Sequence, residues 1–198
     1  MREREGGKPT IITRTATEGE KIILLDGSEP KLDAQIELVT DTAGPLSIAG
    51  VMGGGETGVH AGTRNLLIES ANWNFSNLRK TLAKTRLSSE AAYRFSREVH
   101  PALAETALSL CLKRVREWGG GEVVRGVLDE YGKPYTDTVN RITAKTIADV
   151  LGLEISLEES AQILERLGFT CRIDGETLEA TSPATRTDIE FGIIGQRN

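Results

Sequence analysis

A change of hydrophobic period near Asn72 constrains this chain more than any other feature. Between Gly19 and Glu69 the apolar residues come in short runs or alternate in twos. Lys21-Ile-Ile-Leu-Leu25 closes on Asp26-Gly27, and Gln35-Ile-Glu-Leu-Val39 alternates. Asp41-Thr-Ala-Gly-Pro45 interrupts the pattern before Leu46-Ser-Ile-Ala49, and Asn65-Leu-Leu-Ile-Glu69 has the makings of a further strand. Alternation sends successive side chains to opposite faces of a strand, so this half predicts strands joined by polar turns. Past Asn72 the spacing turns helical. Ser76–Lys84 and Ser88–Arg97 predict short helices, each with a serine at the N-cap end, where its oxygen can accept an early amide. Pro101–Trp118 predicts the longest helix. Proline suits its first turn, Leu103, Ala107, Leu110, Cys111 and Trp118 form one apolar stripe, and Gly119-Gly-Gly121 ends it. Sheet and helices together predict a layered α+β domain over residues 1–133.

Gly132-Lys-Pro134 reads as a linker to a smaller module over residues 134–198. There Thr143–Leu151 and Leu157–Leu167 predict two short helices, ended by Gly152 and Gly168, with Ser156 and Glu159 as a capping box on the second. Phe169–Ile173, the Asp174-Gly175 turn and Thr177–Thr181 predict a hairpin. Two helices followed by a hairpin form a winged-helix-like α+β arrangement.

Charge is unevenly placed. Residues 1–133 carry 18 basic and 18 acidic side chains, whereas residues 134–198 carry 6 and 11, which accounts for the net charge of −5. Within the neutral part, Arg79, Lys80, Lys84, Arg86, Arg94 and Arg97 face only Glu90, with Trp73, Phe75, Tyr93 and Phe95 in or beside that stretch. Cations interleaved with aromatics suit a phosphate backbone and unstacked bases. The same pattern suits a solvated helical face whose aromatics belong to the core. No apolar run approaches the roughly 20 residues that span a membrane, and the N-terminus lacks a signal peptide's apolar segment, so a cytoplasmic location is expected. Cys111 and Cys171, the only cysteines, show with His60 and His100 none of the short spacings of a zinc site. They are expected to be small buried side chains in a reducing compartment.

A glycine cluster, Leu46-Ser-Ile-Ala-Gly-Val-Met-Gly-Gly-Gly55, follows a predicted strand without the spacing of a phosphate-binding loop. Glycine there permits positive φ and a close approach to the backbone, in a tight turn or a binding loop. Leu25-Asp-Gly27, Ile48-Ala-Gly-Val-Met-Gly-Gly54, Ile68-Glu-Ser-Ala71, Ser89-Glu-Ala-Ala-Tyr-Arg-Phe95 and Val99-His-Pro101 stand in this order. Together they closely resemble the bacterial phenylalanyl-tRNA synthetase β-chain family, over about residues 19–120 for its third and fourth domains. Val139-Asn-Arg141, Leu151-Gly152, Ile163-Leu-Glu-Arg-Leu-Gly-Phe169 and Ser182-Pro-Ala-Thr-Arg-Thr-Asp-Ile189 resemble its fifth. The resemblance implies an internal portion of that subunit, lacking the Pro-Leu-His-Ala-Phe-Asp segment that gives the family's pocket a histidine. Where the family has Arg-Phe-Glu-Arg-Gly-Val-Asp-Pro, this chain has Arg94-Phe-Ser-Arg-Glu-Val-His-Pro101, so Ser96, Glu98 and His100 depart.

What the resemblance implies is hydrolytic editing. An apolar pocket rejects an added hydroxyl by only about a hundredfold, so telling phenylalanine from tyrosine gains from a second, hydrolytic site. Matched motif to motif, Gly50 and Glu69 fall on pocket positions, and Ser89 and Ala91 fall on the side that takes tyrosine. Glu69 would receive the phenol hydroxyl, while Gly50 and Ala91 would leave room for the ring. No catalytic side chain is implied; water would attack the ester, held by backbone amides and the terminal ribose. The implied partners are tRNA(Phe) and the catalytic α subunit, in a tetramer of two α and two β chains. ATP and magnesium serve the parent enzyme, and no cofactor is expected in this chain. Asp188 matches one magnesium ligand, but one carboxylate cannot hold magnesium alone. The alternative is a non-enzymatic winged-helix nucleic-acid-binding protein. Its reading helix would be Leu157–Leu167, where three glutamates against one arginine give the wrong balance for phosphate. Specific DNA binding is not expected.

Overall fold

The structure is a computed structural model that describes residues 10–132 and 134–189. The chain divides into two compact units. One comprises the residues up to Val99 together with Ala104–Gly121, and the other comprises His100–Leu103 together with the residues from Glu122 onward. Residues 122–132 therefore go with the second unit, ahead of the expected linker at Gly132-Lys-Pro134, whose middle residue lies outside the described ones.

In the first unit four antiparallel strands run in sequence order: β1 (Ile12–Thr15), β2 (Glu37–Asp41), β3 (Gly44–Ile48) and β4 (Met52–Gly53). The interruption read at Asp41–Pro45 is the tight β2–β3 turn. There the Asp41 Oδ1 accepts from the amides of Ala43 and Gly44, satisfying donors that the turn would otherwise leave bare. Two expected strands do not form as ladders. Lys21–Leu25 keeps its alternation, with Ile22 and Leu24 buried and Ile23 and Leu25 exposed, but makes only one bridge, Leu24 to Gly54. Asn65–Glu69 has no strand partner, and Leu66 and Leu67 are exposed. In their place β1 and the two-residue β4 complete the sheet.

Three helices follow: α1 (Phe75–Thr85), α2 (Glu90–Phe95) and α3 (Leu103–Gly119). The Asn74 side chain caps α1 by accepting from the Asn77 amide, where a serine was expected, and Ser89 caps α2 by accepting from the Ala92 amide. Leu78 of α1 and Ala92 of α2 join Ile22, Leu24, Leu32, Ile36, Leu38, Ile48 and Val51 in one core. The stripe expected on α3 is turned outward. Leu110, Cys111 and Trp118 are exposed, and the partly covered face is Ala104, Leu108, Leu112 and Val115 at helical spacing. Cys111 is thus an exposed cysteine and not a buried one, while Cys171 is half-buried.

The second unit is an antiparallel sheet of order β5-β7-β6, with β5 (Val139–Thr143), β6 (Thr170–Asp174) and β7 (Thr177–Thr181). The helices α4 (Ala144–Leu151) and α5 (Leu157–Arg166) stand between β5 and β6 in the chain. Thr143 caps α4, Ser156 caps α5, and Gly152 closes α4 at φ 70°, a value glycine adopts at little cost. Ile147, Leu157, Ala161 and Leu178 form the core, with Ile142, Ile155, Leu164 and Cys171 against it. Both units mix antiparallel sheet with helix, which is the α+β class expected. Among the described residues no helix is long and apolar enough to cross a membrane.

Candidate functional site

Of the four pocket candidates, Gly50 and Ser89 are tied to the same short stretch of backbone. Gly50 turns the chain from β3 toward β4 at φ 67°. The Ser89 hydroxyl donates to the carbonyl of Val51, the next residue, at 2.6 Å, and its oxygen accepts from the Ala92 amide at 3.0 Å. One hydroxyl therefore fixes the head of α2 to the Gly50 turn. Its proton is committed to a carbonyl, which removes Ser89 as a nucleophile in this conformation.

The segment after Glu69 is seated by three contacts. Ser70 Oγ donates to the carbonyl of Ala104 at 2.8 Å, and Asn72 Nδ2 donates to the carbonyl of Val99. Trp73 packs on Gly50, where a Cβ would lie only 2.7 Å from indole Cδ1. The space expected above Gly50 for a tyrosyl ring is thus filled by the protein's own indole. The sequence pattern places Trp73 only among the aromatics in or beside the basic stretch. The signal that could have singled it out was a bulky aromatic just past the Glu69 motif, available to cover a bare glycine turn.

Glu69 closes no strand; it lies on irregular chain at the start of this seated segment. By area the residue as a whole is exposed, yet burial around its carboxyl raises its pKa above the usual glutamate value. The direction of the shift follows from loss of water around the charge. Ala91 is exposed on the first turn of α2. A shallow depression on α5, lined by Glu159, Gln162, Ile163, Glu165 and Arg166, belongs to the second unit and contains none of these residues.

The family departures each have a local role. Ser96 ends α2, with its hydroxyl donating to the Tyr93 carbonyl. Glu98 takes φ 65°, the left-handed conformation that suits the family's glycine. His100 Nδ1 accepts from the Ala102 amide at 3.2 Å, Nε2 faces Asp137 Oδ1 at 3.0 Å, and the ring packs edge-on to Tyr135.

Asp188, the one residue matched to a magnesium ligand, is paired with Arg186. Arg186 takes both carboxylate oxygens, at 2.8 and 3.0 Å, and this pairing lowers the Asp188 pKa. Among the described residues no group of three acidic, histidine or cysteine side chains could hold an ion. The Phe191–Gly195 divergence and the segment up to Asn198 lie outside the described residues.

The first unit is a sheet meander packed by short helices, and the second joins a helix pair to a three-stranded antiparallel sheet. The chain belongs to the B3/4 domain family, which matches residues 4–120, and the tRNA synthetase B5 domain matches residues 140–192. Its relatives are phenylalanine–tRNA ligase beta subunits. That of Brucella suis is 39% identical over 184 residues, 92% of this chain and 23% of the relative. That of Clostridium acetobutylicum is 36% identical over 181 residues, 91% of this chain and 23% of the relative. That of Bacillus subtilis is 34% identical over 183 residues, 92% and 23% of the two chains. The chain thus spans about a quarter of the length of these relatives. An N-terminal fragment of the phenylalanyl-tRNA synthetase beta subunit from Pyrococcus horikoshii is similar at TM-score 0.43 and 18% identity, over 92% of this chain and 53% of that one. The winged-helix DNA-binding alternative is not favoured, since the second unit matches a synthetase domain and α5 presents Glu158 and Glu159 in its first turn.

Proposed function

We propose that this chain is the proofreading part of a phenylalanine–tRNA ligase, binding tRNA(Phe) and hydrolysing the ester of mischarged tyrosyl-tRNA(Phe). The observation that carries the reading is the Ser89 hydroxyl bond to Val51, which holds two motif segments of a B3/4 domain together beside Gly50. Glu69 supplies the partner for the tyrosine phenol, a partner that phenylalanine would leave unsatisfied. With Ser89 occupied, the attacking group is water. Trp73, not an open space, forms the wall above Gly50, so the ring enters on the side of Glu69 and Ala91. Residues 134–198 dock toward the catalytic α subunit of a cytoplasmic tetramer of two α and two β chains. Amino-acid activation, with ATP and magnesium, is carried out by that α subunit.

The test is deacylation of tyrosyl-tRNA(Phe) beside phenylalanyl-tRNA(Phe), by the chain and by the complete ligase. Selective release of tyrosine is expected from the ligase, and Ala91→Trp placed in it should abolish that release while sparing phenylalanine charging. Unchanged editing in the Ala91→Trp ligase would overturn the reading.

A further inference from the structure

We propose that the outer corner of α1 and α2, carrying Phe75, Arg79, Tyr93 and Arg97, is a platform for an unpaired RNA strand; this rests on the tRNA reading above. The sequence left the aromatics of this stretch open between core and nucleic acid, and the structure divides them. Trp73 covers Gly50 and Phe95 packs on the core. Tyr93 is 55% exposed, and the Arg97 guanidinium lies 3.6 Å from its ring centroid. Arg79 lies 5.0 Å from the Phe75 centroid. The two arginine–aromatic pairs meet at the end of α2. Arg79 Nε donates to the Ser96 carbonyl at 2.7 Å, and the adjoining Arg97 Nη1 donates to the Tyr93 carbonyl at 2.7 Å. These bonds fix the planes of both guanidinium groups and use one of five N–H donors on each.

The charges of the stretch divide in the same way. Lys84 is paired with Asp33 and Arg94 with Glu90. Among the described residues Arg79, Lys80, Arg86 and Arg97 have no carboxylate within ion-pair distance, and all four are exposed. An oriented guanidinium plane backed by an aromatic ring is a surface on which a base stacks, and the adjacent cations neutralise the phosphates on either side. Bases inside a duplex are already stacked on one another, so the platform favours a single strand.

The test is fluorescence anisotropy of the 198-residue chain with a short labelled single-stranded RNA and with the same sequence annealed. Tyr93→Leu and Arg97→Gln should each weaken single-strand binding about tenfold, on the scale of one lost stacked base. Arg97→Lys, which keeps the charge and loses the plane, should weaken it while leaving the salt dependence unchanged. Arg125→Gln, a charge-matched change in the second unit, should do nothing. Far-UV circular dichroism shows whether each variant is folded; should Tyr93→Leu not be, Arg97→Lys against Arg125→Gln decides alone. Wild-type affinity in the Arg97 variants, an equal loss in Arg125→Gln, or equal affinity for the annealed strand overturns the platform. If the variants bind normally while the ligase still releases tyrosine, the platform fails and the proofreading reading stands. If they lose the strand while the ligase never releases tyrosine, the reverse holds.

Discussion

Trp73 stands against the bare face of Gly50, so closely that a Cβ on the glycine would lie 2.7 Å from indole Cδ1 and 3.3 Å from Cδ1 of Leu78. Gly50→Ala must therefore displace the indole and also hold alanine at φ 67°. Left-handed backbone costs a non-glycine residue about 1–2 kcal/mol, and overpacking adds about 1–3. A loss of about 2–5 kcal/mol is expected from urea unfolding of the first unit, followed by tryptophan fluorescence. An unchanged midpoint would show that Trp73 moves aside without cost.

Glu69 should act on tyrosine selection and on stability in separable ways. Glu69→Ala in the complete ligase should weaken discrimination of tyrosine from phenylalanine in editing by about 1–3 kcal/mol, the scale of one lost polar partner. Because burial raises the Glu69 pKa, the folded chain holds this proton more tightly than the unfolded one. Between the unfolded and the raised folded pKa the folded state carries more protons, so this group's contribution to stability falls as pH rises through that window. Glu69→Gln should flatten that limb in urea midpoints measured from acid to neutral pH. A limb identical to wild type would show that the carboxyl is not enclosed.

Glu98 occupies a left-handed position that costs every residue but glycine. Glu98→Gly should stabilise the chain by about 0.5–1 kcal/mol, relief of strain outweighing the extra freedom of the unfolded glycine. On a chain of this size that is a rise in melting temperature of roughly 1–4 °C. A fall would show that the Glu98 side chain contributes more than its backbone costs.

The Arg14–Glu20 pair predicts the acid limb of stability. Arg14 Nη1 and Nη2 donate to the two Glu20 oxygens at 2.9 and 2.6 Å, and the Thr17 amide donates to Oε2 at 2.9 Å. The Arg14 hydrogen bond is the largest cause holding the Glu20 pKa at about 2, against the ordinary 4.5. A depressed carboxylate stabilises the fold above its unfolded pKa and loses that contribution as pH falls toward its folded one. Stability should therefore decline between about pH 4.5 and 2. Glu20→Gln should lower neutral-pH stability by about 1–2 kcal/mol and blunt the decline. An unaltered acid limb in that variant would assign it to other carboxylates.

Limited proteolysis should first cut the irregular chain between Gly120 and Thr138, where every described residue is exposed and Leu128 fully so. Two resistant pieces are expected by mass spectrometry. First cleavage within Leu103–Gly119 would place the weak point inside α3 instead.

The helices were legible in the sequence to within a few residues because caps and terminal glycines are local signals. Ser156 and Gly152 stand where the pattern put them, and Thr143, read as the first residue of its helix, is its cap. Strands needed information the chain order does not carry. Lys21–Leu25 and Asn65–Glu69 have strand-like patterns, yet a ladder requires a partner at the right register, and β1 took the place beside β2. The α3 stripe failed for a related reason. Leucines lie on both sides of that helix, so periodicity alone could not choose between Leu110 and Leu108 as the covered face. At the candidate site, the motif singles out Gly50, Glu69, Ser89 and Ala91, of which the structure ties Ser89 to the Gly50 turn, whereas Trp73 over Gly50 follows from a contact across 23 residues that no spacing rule anticipates.

The two bonds made by the Ser89 hydroxyl set a rule of proton arithmetic for that position. A helix cap needs only an oxygen, which aspartate, asparagine, serine and threonine all provide. The Val51 carbonyl needs a hydrogen from the same short side chain. Aspartate offers the oxygen without the hydrogen, whereas a hydroxyl carries both on one atom. A substitution at residue 89 that supplies only the oxygen would look harmless for α2 yet unfasten the turn that leads out of Gly50.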